Sequence, residues 1–537
     1  MERYTKPWPI LCLGIFGLAC LFPTSFFRAP AAMNGRSSNL SRPGISLPPE
    51  NGSVYQVLAF GAKGDGKTLD SPAVNKAIEA AASAGGGTVF FPAGTYLCLS
   101  IHLKSNIALY LDRGCTIIAA DSSSDGDRYD PPEQNQWDMY QDFGHSHFHN
   151  SLIWGEQLED VSILGPGGIW GRGLSSSDHV PEGGGNKSIS LKLCRNVLIR
   201  DLTILHGGHF GILATGVDLL TIDNLKIDTN RDGIDIDCCR NVRVSNCGIN
   251  SPIDDGLCLK SSYPLGFPRA TENVTITNCQ VSGYDEGTFL DGTYKRERKG
   301  QHYTPTGRIK FGTESNGGFK NITISNCVFD YCRGLALETV DGGLLEDVVI
   351  SNITMRDVTS APIFLRLGNR ARGPKETTPV GRLRRILISN VIVYNADARW
   401  SSIISGIPGH EIEDVRLSNI HIYYPGGGTA AQAALEPPEK ETAYPEPTMF
   451  GETPAYGFFI RHVKGLEMSD VEVSCAKPDL RPAFVLQDVT GADFQHVRSE
   501  ASSGVPTFVL KEVSDFSTSQ CRPVPDKRIE HAKDSRF

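Results

Sequence analysis

The chain has 537 residues, of which 40% are hydrophobic and 21% charged, and its formal net charge is -9. This acidic balance excludes the basic footprint of a nucleic-acid-binding protein, so we expect no nucleic-acid partner. The 56 glycines, the few methionines and the many short β-branched runs favour a β-rich fold with frequent turns.

The N-terminal 33 residues have the order of a secretory signal. Arg3 and Lys6 precede an apolar run over residues 10–22, and small residues follow at 29–32. We therefore predict a signal peptide or N-terminal anchor over residues 1–33 and a linker over the Ser- and Pro-rich residues 34–52. The expected location is secreted or periplasmic, with membrane anchoring through this segment as the alternative.

A helix is expected near the start of the folded region. Residues 70–85 read as a capped amphipathic helix that ends at glycines, and residues 87–91 and 107–111 read as strands. A repeat fold needs its first turn covered, and this helix is the predicted cap.

From residue 197 onward the chain repeats the pattern apolar-x-apolar-x-Asn. Alternation with period two predicts short strands with one buried face, and the final Asn suits a turn. The repeats span residues 197–201, 220–224, 242–246, 274–278, 322–326, 348–352, 386–390 and 415–419.

The spacing of these repeats favours a solenoid. Successive repeats end 22 to 48 residues apart, as expected when every repeat has the same minimum length and some carry loop insertions. The consensus of leucine-rich repeats is absent. We predict an all-β, right-handed parallel β-helix over residues 53–522. The Pro- and Glu-rich passage after Tyr423 is predicted to be a long loop within it, and residues 523–537 are predicted to follow it as a frayed polar tail.

Three cysteines share one position in the repeat. Cys247, Cys279 and Cys327 each follow the repeated Asn. Because Cys packs as a small apolar residue, we predict stacked, buried free thiols there rather than disulfides.

Carboxylates recur at matching points of two successive repeats. Asp232, Asp235 and Asp237 lie in the first repeat, and Asp254 and Asp255 in the second. A solenoid stacks such residues on one face, which suits acid/base chemistry. The alternative is that these aspartates cap turns, where Asp is common.

The motifs around these acids resemble the polygalacturonase type of glycoside hydrolase family 28. The resemblance covers about residues 57–473, and it includes the segments 60–66, 91–96, 151–155 and 163–167. The family's Asn-Thr-Asp motif corresponds to Asn230-Arg231-Asp232, and its Asp-Asp pair to Asp254-Asp255.

The resemblance implies an inverting hydrolase of galacturonic-acid-containing pectic polysaccharide, of the polygalacturonase or rhamnogalacturonan hydrolase type. Asp254 would be the general acid, and Asp232 and Asp255 would hold the attacking water. In such enzymes the acid and base carboxyls are roughly 6.5–9.5 Å apart. Neither a cofactor nor a metal is implied, and the expected partner of a monomeric chain is a polysaccharide or oligosaccharide. Asp235 and Asp237 are predicted to be structural.

Two further family motifs are displaced. Counting back from Phe311 places Thr306-Gly307 where the family has His-Gly, and it places Ala336 and Glu338 where the family has the Arg and Lys of Arg-Ile-Lys. Arg308 and Lys310 then either reach the groove from the neighbouring rung or form a solvated strand pair.

Other candidate substrate-binding residues flank the acids. Lys260 and Arg269 follow the Asp pair and can bind a uronic carboxylate, and His209 lies one rung before Asp232. An insertion at residues 284–299 shapes the groove or is a solvated loop. His145, His147 and His149 are predicted to lie on a loop over the groove rather than to bind a metal.

Two other functions remain open from the sequence. A β-helix lyase or epimerase would use the three aspartates to bind Ca²⁺. A non-catalytic carbohydrate-binding solenoid would bind a pectic ligand without cleaving it.

Overall fold

The structure is a computed structural model that describes residues 53–122, 127–142, 144–177, 179–297, 304–500 and 502–537. The predicted signal segment and linker lie outside these residues. Asn51–Phe537 form one compact unit. Within the described ranges, no helix has both the length and the apolar character needed to cross a membrane.

The described chain coils into a parallel β-helix with three sheets, named A, B and C here. In each coil, one strand pairs in parallel with the strand of the same sheet one rung earlier and one rung later. The strands of sheet A are β5 Ile101–His102, β8 Ile153–Glu156, β11 Lys187–Lys192, β14 Phe210–Thr215, β17 Asp232–Asp237, β20 Leu257–Ser261, β23 Ile309–Ser315, β25 Leu335–Thr339, β27 Ile363–Leu367 and β29 Ser402–Ser405.

Sheets B and C begin as separate short strands and merge later into long ones. Sheet B has β1 Val54–Gln56, β3 Gly87–Phe91, β6 Ile107–Leu111, β9 Glu159–Leu164, β12 Arg195–Arg200, β15 Asp218–Asp223, β18 Arg240–Ser245 and β21 Thr271–Thr277. Sheet C has β2 Asp65–Leu69, β4 Gly94–Cys98, β7 Cys115–Ala119, β10 Gly168–Trp170, β13 Thr203–Leu205, β16 Lys226–Asp228, β19 Gly248–Asn250 and β22 Gln280–Ser282.

The long strands β24 Phe319–Asp330, β26 Leu344–Val358, β28 Arg382–Ala396 and β30 Ile412–Gly426 continue both B and C, and the last coils contain β31 Phe458–Lys477, β32 Phe484–Gln495, β33 Arg498–Ser499, β34 Phe508–Ser519 and β35 Lys527–Arg536. The helices are α1 Ser71–Ser83 and α2 Ala430–Ala433, with 3-10 turns at Val57–Phe60, Asp138–Tyr140, Lys375–Thr377 and Pro447–Phe450.

The predicted alternation of buried and exposed residues produces the core. Val197 of β12 pairs with Leu220 of β15, which pairs with Val242 of β18, and all three side chains are buried. Stacked aliphatic columns of this kind fill the coil, as the period-two pattern predicts.

The repeated Asn residues lie at the predicted turn after sheet B, where their side chains form a ladder. Asn352 Nδ2 donates to Asn326 Oδ1 at 3.0 Å, Asn390 donates to Asn352 at 3.0 Å, and Asn419 donates to Asn390 at 2.9 Å. Their φ angles lie between 51° and 58°, a left-handed conformation that Asn tolerates better than most residues. The turn geometry and the side-chain ladder therefore select the same residue.

The two ends of the coil are covered differently. The predicted capping helix is confirmed as α1, which packs its buried Val74, Ala77 and Ile78 on the first rungs. The prediction of a frayed tail is wrong, because β35 pairs antiparallel with β34. The last rung would otherwise expose an open strand edge, and β35 covers it.

The cysteines follow the prediction of buried thiols. All twelve cysteines of the described ranges are free and buried. Cys247, Cys279 and Cys327 lie on successive rungs, and each thiol donates to the carbonyl two residues before it.

Candidate active site

Sheet A brings the three predicted acids together. Asp232 begins β17, and Asp254 and Asp255 lie in the turn that enters β20, the next strand of the sheet. The backbone N–H of Gly233 donates to the carbonyl of Asp255 at 3.0 Å, which fixes the two turns side by side. One carboxylate oxygen of each acid lies within 4.8 Å of the others.

The glycine after each acid allows this close approach. A Cβ on Gly233 would lie 2.3 Å from the carbonyl oxygen of Gly256, and a Cβ on Gly256 would lie 2.8 Å from that of Gly307. The Asp-Gly pairs at positions 232 and 255 are thus set by backbone packing as well as by the acids.

Asp255 is clamped by two cations from the following strand. Arg308 Nε donates to its Oδ1 at 2.9 Å, and Lys310 Nζ lies 3.3 Å from its Oδ2. Burial opposes the charge of this carboxylate, but Lys310, Arg308 and Lys260 outweigh it and lower the pKa of Asp255 to about 2. Asp255 is therefore ionised at neutral pH.

Asp232 has the opposite environment. It is 4% exposed, and its Oδ1 has no hydrogen-bond partner among the described residues. Burial, with the charges of Asp235 and Asp254, raises the pKa of Asp232 well above its usual value. Two carboxyls whose oxygens lie within 4.8 Å of each other, one with a raised and one with a lowered pKa, suit a site for acid/base chemistry.

Asp254 faces an arginine that comes from the preceding rung. Arg231 Nη2 lies 3.0 Å and its Nε 3.1 Å from Asp254 Oδ2. The Asp254 side chain is 30% exposed, more than either of the other two acids.

Lys260 is placed near the acids but is already engaged by others. Its Nζ lies 3.2 Å from Glu314 Oε2 and 3.9 Å from Asp235 Oδ2, and the lysine is 5% exposed. A register shift between β20 and β23 inserts extra residues around Glu314 and brings it to this position. Lys260 is therefore neither a surface salt bridge nor an uncommitted cation.

The three other sequence candidates have different positions. His209 lines the pocket, and burial, followed by the charge of Arg231, lowers its pKa to about 2. Asn230 connects the two acid-bearing turns, because its carbonyl accepts from the N–H of Ile253 at 3.1 Å. The prediction for Arg269 is wrong: it forms an ion pair with Asp218 of sheet B at 2.6 Å, outside the pocket.

Arg308 and Lys310 are buried, and the alternative of a solvated strand pair is wrong. Lys310 pairs with Cys258 on one side and with Ala336 on the other, so β23 is the rung directly after the Asp pair. This pairing agrees with the register that the sequence analysis obtained by counting back from Phe311. The two cations occupy the rung between Asp255 and Glu338 and bind acids on both sides.

A pocket of about 330 Å³ opens over the acids. Besides predicted residues it is lined by Arg231 of the recognised motif, by His145, whose run was predicted to lie over the groove, and by Asp142 and Tyr444, which the sequence did not assign to the site. His145 belongs to the histidine run, and its Nε2 lies 3.1 Å from Asp235 Oδ2. His147 and His149 have other carboxylate partners, so each histidine of the run contacts a different carboxylate over the groove.

Tyr444 arrives on a segment of the long loop that we call the strap, residues 436–447. Two buried arginines hold it: Arg366 donates to the carbonyls of Glu439 and Lys440, and Arg461 donates to those of Pro437 and Pro438. The strap also brings Glu446 against Arg308. The predicted long loop is therefore an ordered wall of the site.

The insertion at 284–299 lies beside this pocket rather than in it. Glu286 accepts from His206 at 2.9 Å, and the N–H groups of Phe289 and Leu290 donate to Asp228. Residues 298–299 fall outside the described ranges. None of its described residues, 284–297, lines the pocket around the acids.

Glu338 makes stability depend on pH. It is fully buried, and burial raises its pKa to about 8 despite Lys310 and Arg308. The folded state thus binds a proton that the unfolded chain releases above its ordinary value of about 4.3, so stability falls as pH rises from there to about 8. We expect Glu338→Gln to match the wild-type melting temperature near pH 4 and to exceed it above pH 8, measured by calorimetry. Glu512→Gln, at an exposed site, is the control.

The three acids are also the only metal-like cluster of carboxyl, His and Cys groups in the described ranges. A cation there would compete with Arg308 and Lys310 for both oxygens of Asp255. The charge of this carboxylate is thus already balanced by protein groups.

Comparison with known proteins agrees with this fold. Family models described as rhamnogalacturonase A/epimerase, pectate lyase-like, and as a right-handed β-helix region match residues 54–144 and 182–295. A Vitis vinifera protein named "Probable polygalacturonase" is 24% identical over 405 residues, covering 68% of this chain and 74% of that protein. One of the same name from Arabidopsis thaliana is 25% identical, covering 71% and 76%.

Two solved structures have a similar fold. A family 28 exopolygalacturonase of Yersinia enterocolitica has a TM-score of 0.60 at 17% identity, covering 82% of this chain and 78% of its own. One from Thermotoga maritima has a TM-score of 0.53 at 17% identity, covering 91% and 96%. The predicted right-handed parallel β-helix, the resemblance to polygalacturonases and the prediction of a glycoside hydrolase are confirmed.

Proposed function

We propose that this protein is an inverting hydrolase that cleaves glycosidic bonds in galacturonic-acid-containing pectic polysaccharide. The observation that carries the proposal is the convergence of Asp232, Asp254 and Asp255 in one pocket, with carboxylate oxygens within 4.8 Å of one another. The relatives named polygalacturonase support the same substrate class.

The proposed roles follow from accessibility and charge. Asp254, the most exposed of the three acids, protonates the leaving glycosidic oxygen. Asp232 and Asp255 orient a water on the other face of the sugar and take its proton. Asp255 stays charged because of Arg308 and Lys310, and its negative field helps the neighbouring carboxyl to accept that proton.

The distance between the three aspartates makes the anomeric configuration of the product a test of the inverting mechanism. Oxygens within 4.8 Å are nearer than the roughly 6.5–9.5 Å between carboxyl groups in most inverting enzymes. We expect proton NMR of an early time course on polygalacturonan or rhamnogalacturonan to show the anomer opposite to that of the cleaved bond. The retained anomer would contradict the inverting assignment.

Hydrolysis is also separable from the lyase or epimerase alternative. We expect new reducing ends, no unsaturated product absorbing in the ultraviolet, and full activity in the presence of a chelator, because protein cations already balance Asp255. Loss of activity with chelator would favour a Ca²⁺ enzyme. Affinity for oligogalacturonide without any new reducing ends would favour a binding solenoid.

We further propose that the chain acts as a monomer on its polysaccharide outside the cytoplasm. Both ends of the coil are covered, by α1 and by β35, so neither offers an open rung to a second copy. Sedimentation at micromolar concentration tests the monomer, and N-terminal sequencing of the exported protein tests cleavage of the signal. Nucleic-acid binding is not expected from the acidic net charge.

A further inference from the structure

We propose that Arg231 recognises the carboxylate of a uronic acid in the substrate. The inference rests on the proposed function. It deepens that function, since it names the residue that replaces the displaced Arg-Ile-Lys motif and makes the substrate's own charge part of the mechanism.

The guanidinium of Arg231 is held at the wall of the pocket. Its Nη2 and Nε contact Asp254 Oδ2, and Nη2 lies 3.3 Å from Nε2 of His209. The lowered pKa of His209 leaves its imidazole neutral, so it can accept from the arginine. The Arg231 side chain is 20% exposed and that of Asp254 is 30% exposed, so a ligand in the pocket reaches both.

The other cations around the acids are committed to buried partners. The side chains of Lys260, Arg308 and Lys310 are 7%, 2% and 2% exposed. Their charges are opposed by acids that are themselves buried, such as Glu314 and Asp255. Breaking one partner away from a buried ion pair costs several kcal/mol, about 3–5. A substrate carboxylate would therefore have to break a buried ion pair to bind any of them.

Arg333 and Arg372 are also partly exposed, at 16% and 29%. Arg333 pairs with Glu446, Arg372 binds Asp142 and the fully buried Glu314, and neither arginine lines the pocket. Arg231 thus combines three properties within the described residues: it lines the pocket, it is partly exposed, and it forms an ion pair with the proposed acid.

The ion pair has a consequence for catalysis. The substrate's uronate competes with Asp254 for the guanidinium of Arg231, and Asp254, as the proposed general acid, delivers a proton. That proton then goes to the leaving glycosidic oxygen as the glycosidic C–O bond breaks. Water forms the new C–O bond and gives its proton to Asp232 or Asp255, so the step is balanced.

The inference predicts discrimination by substrate charge. Trigalacturonate and its methyl ester differ in the carboxylate alone, and wild type should prefer the free acid. For Arg231→Gln we expect kcat/KM on the acid to fall about 10- to 100-fold, the range of a lost charged hydrogen bond. On the ester we expect a change of no more than about threefold, because the ester offers no charge to bind. Arg231→Lys should keep part of the preference, since it keeps the charge without the bidentate fork.

The control and the contrary outcomes are distinct. Arg195→Gln removes an exposed arginine that pairs with Glu159 on sheet B, and it should change neither rate. An equal loss on acid and ester by Arg231→Gln would overturn the inference and leave hydrolysis standing, because a purely structural role affects both substrates alike.

Binding separates this inference from the proposed function. Calorimetric titration with galacturonate should show binding to wild type and a loss of binding in Arg231→Gln. If wild type hydrolyses no pectic substrate but binds galacturonate through Arg231, the recognition site stands and the hydrolase does not. If wild type hydrolyses polygalacturonan and Arg231→Gln binds galacturonate as tightly as wild type, the hydrolase stands and the recognition site fails.

Discussion

Asp254→Asn is expected to reduce the release of reducing ends from pectic substrate by about 100- to 10,000-fold, the usual contribution of a positioned general acid. The amide keeps the shape of the side chain but has no proton to transfer at this step. Asp254 is partly exposed, so the variant should fold with an unchanged melting temperature. Initial rates on polygalacturonan and rhamnogalacturonan, with circular dichroism for the fold, measure both. Turnover like that of wild type would refute the assignment.

The leaving group distinguishes an acid from a base. An aryl galacturonide with an acidic phenol needs little protonation, so Asp254→Asn should lose much less activity on it than on polysaccharide. Asp232→Asn should lose activity on both, because the attacking water still needs its base. Asp201→Asn is a matched control: Asp201 occupies the ladder position where later rungs have Asn, and it accepts from Asn224 at 2.8 Å, as an asparagine also can.

The fold could be predicted because its local and global requirements coincide. The residue types themselves indicate the buried strand positions, such as Val197 and Ile199, and the left-handed turn at Asn224. The same pattern recurs from rung to rung. The C-terminal strand β35 could not be predicted in this way. Residues 527–536 alternate weakly and are mostly polar, so their strand is set by the open edge of β34 rather than by their own pattern.

The acids of the site could be found from the sequence, but their partners could not. Asp232 and Asp255 lie in recurrent motifs whose spacing equals one rung. Tyr444 and Glu446 are almost two hundred residues away, and they reach the site because buried Arg366 and Arg461 hold the strap. Nothing in the local pattern of a Pro-rich loop indicates that packing. Arg231 differs: it lies inside the recognised motif, in place of the family's Thr, and this departure was the available signal.

The burial of Lys310 could not be predicted from the sequence pattern of its strand. In a half-buried strand a lysine is expected to face solvent. Here sheet A is covered by the strap, so both faces of β23 are buried and every residue of the strand is below the exposure of a surface residue. The covering loop, which is distant in sequence, decides the environment of the lysine.

Lys310→Met is expected to lower the free energy of unfolding by about 3–5 kcal/mol, the cost of leaving a buried charge without its partner. The lysine is 2% exposed and stands between Asp255 and Glu338, with Tyr444 at 3.3 Å. Methionine fills the space but leaves Asp255 with Arg308 alone among the cations of β23. Urea denaturation at neutral pH measures the change, and Lys226→Met, at an exposed position of sheet C, should stay within about 0.5 kcal/mol of wild type.

The same variant tests whether Lys310 contacts the substrate. Because its ammonium is enclosed by protein groups, we expect KM on trigalacturonate to stay close to wild type under conditions where Lys310→Met remains folded, with any loss confined to kcat through Asp255. An unchanged stability together with a large rise in KM would instead make Lys310 a direct ligand of the uronate. In that case Lys310 of β23, rather than Arg231, would be the residue that recognises the uronate.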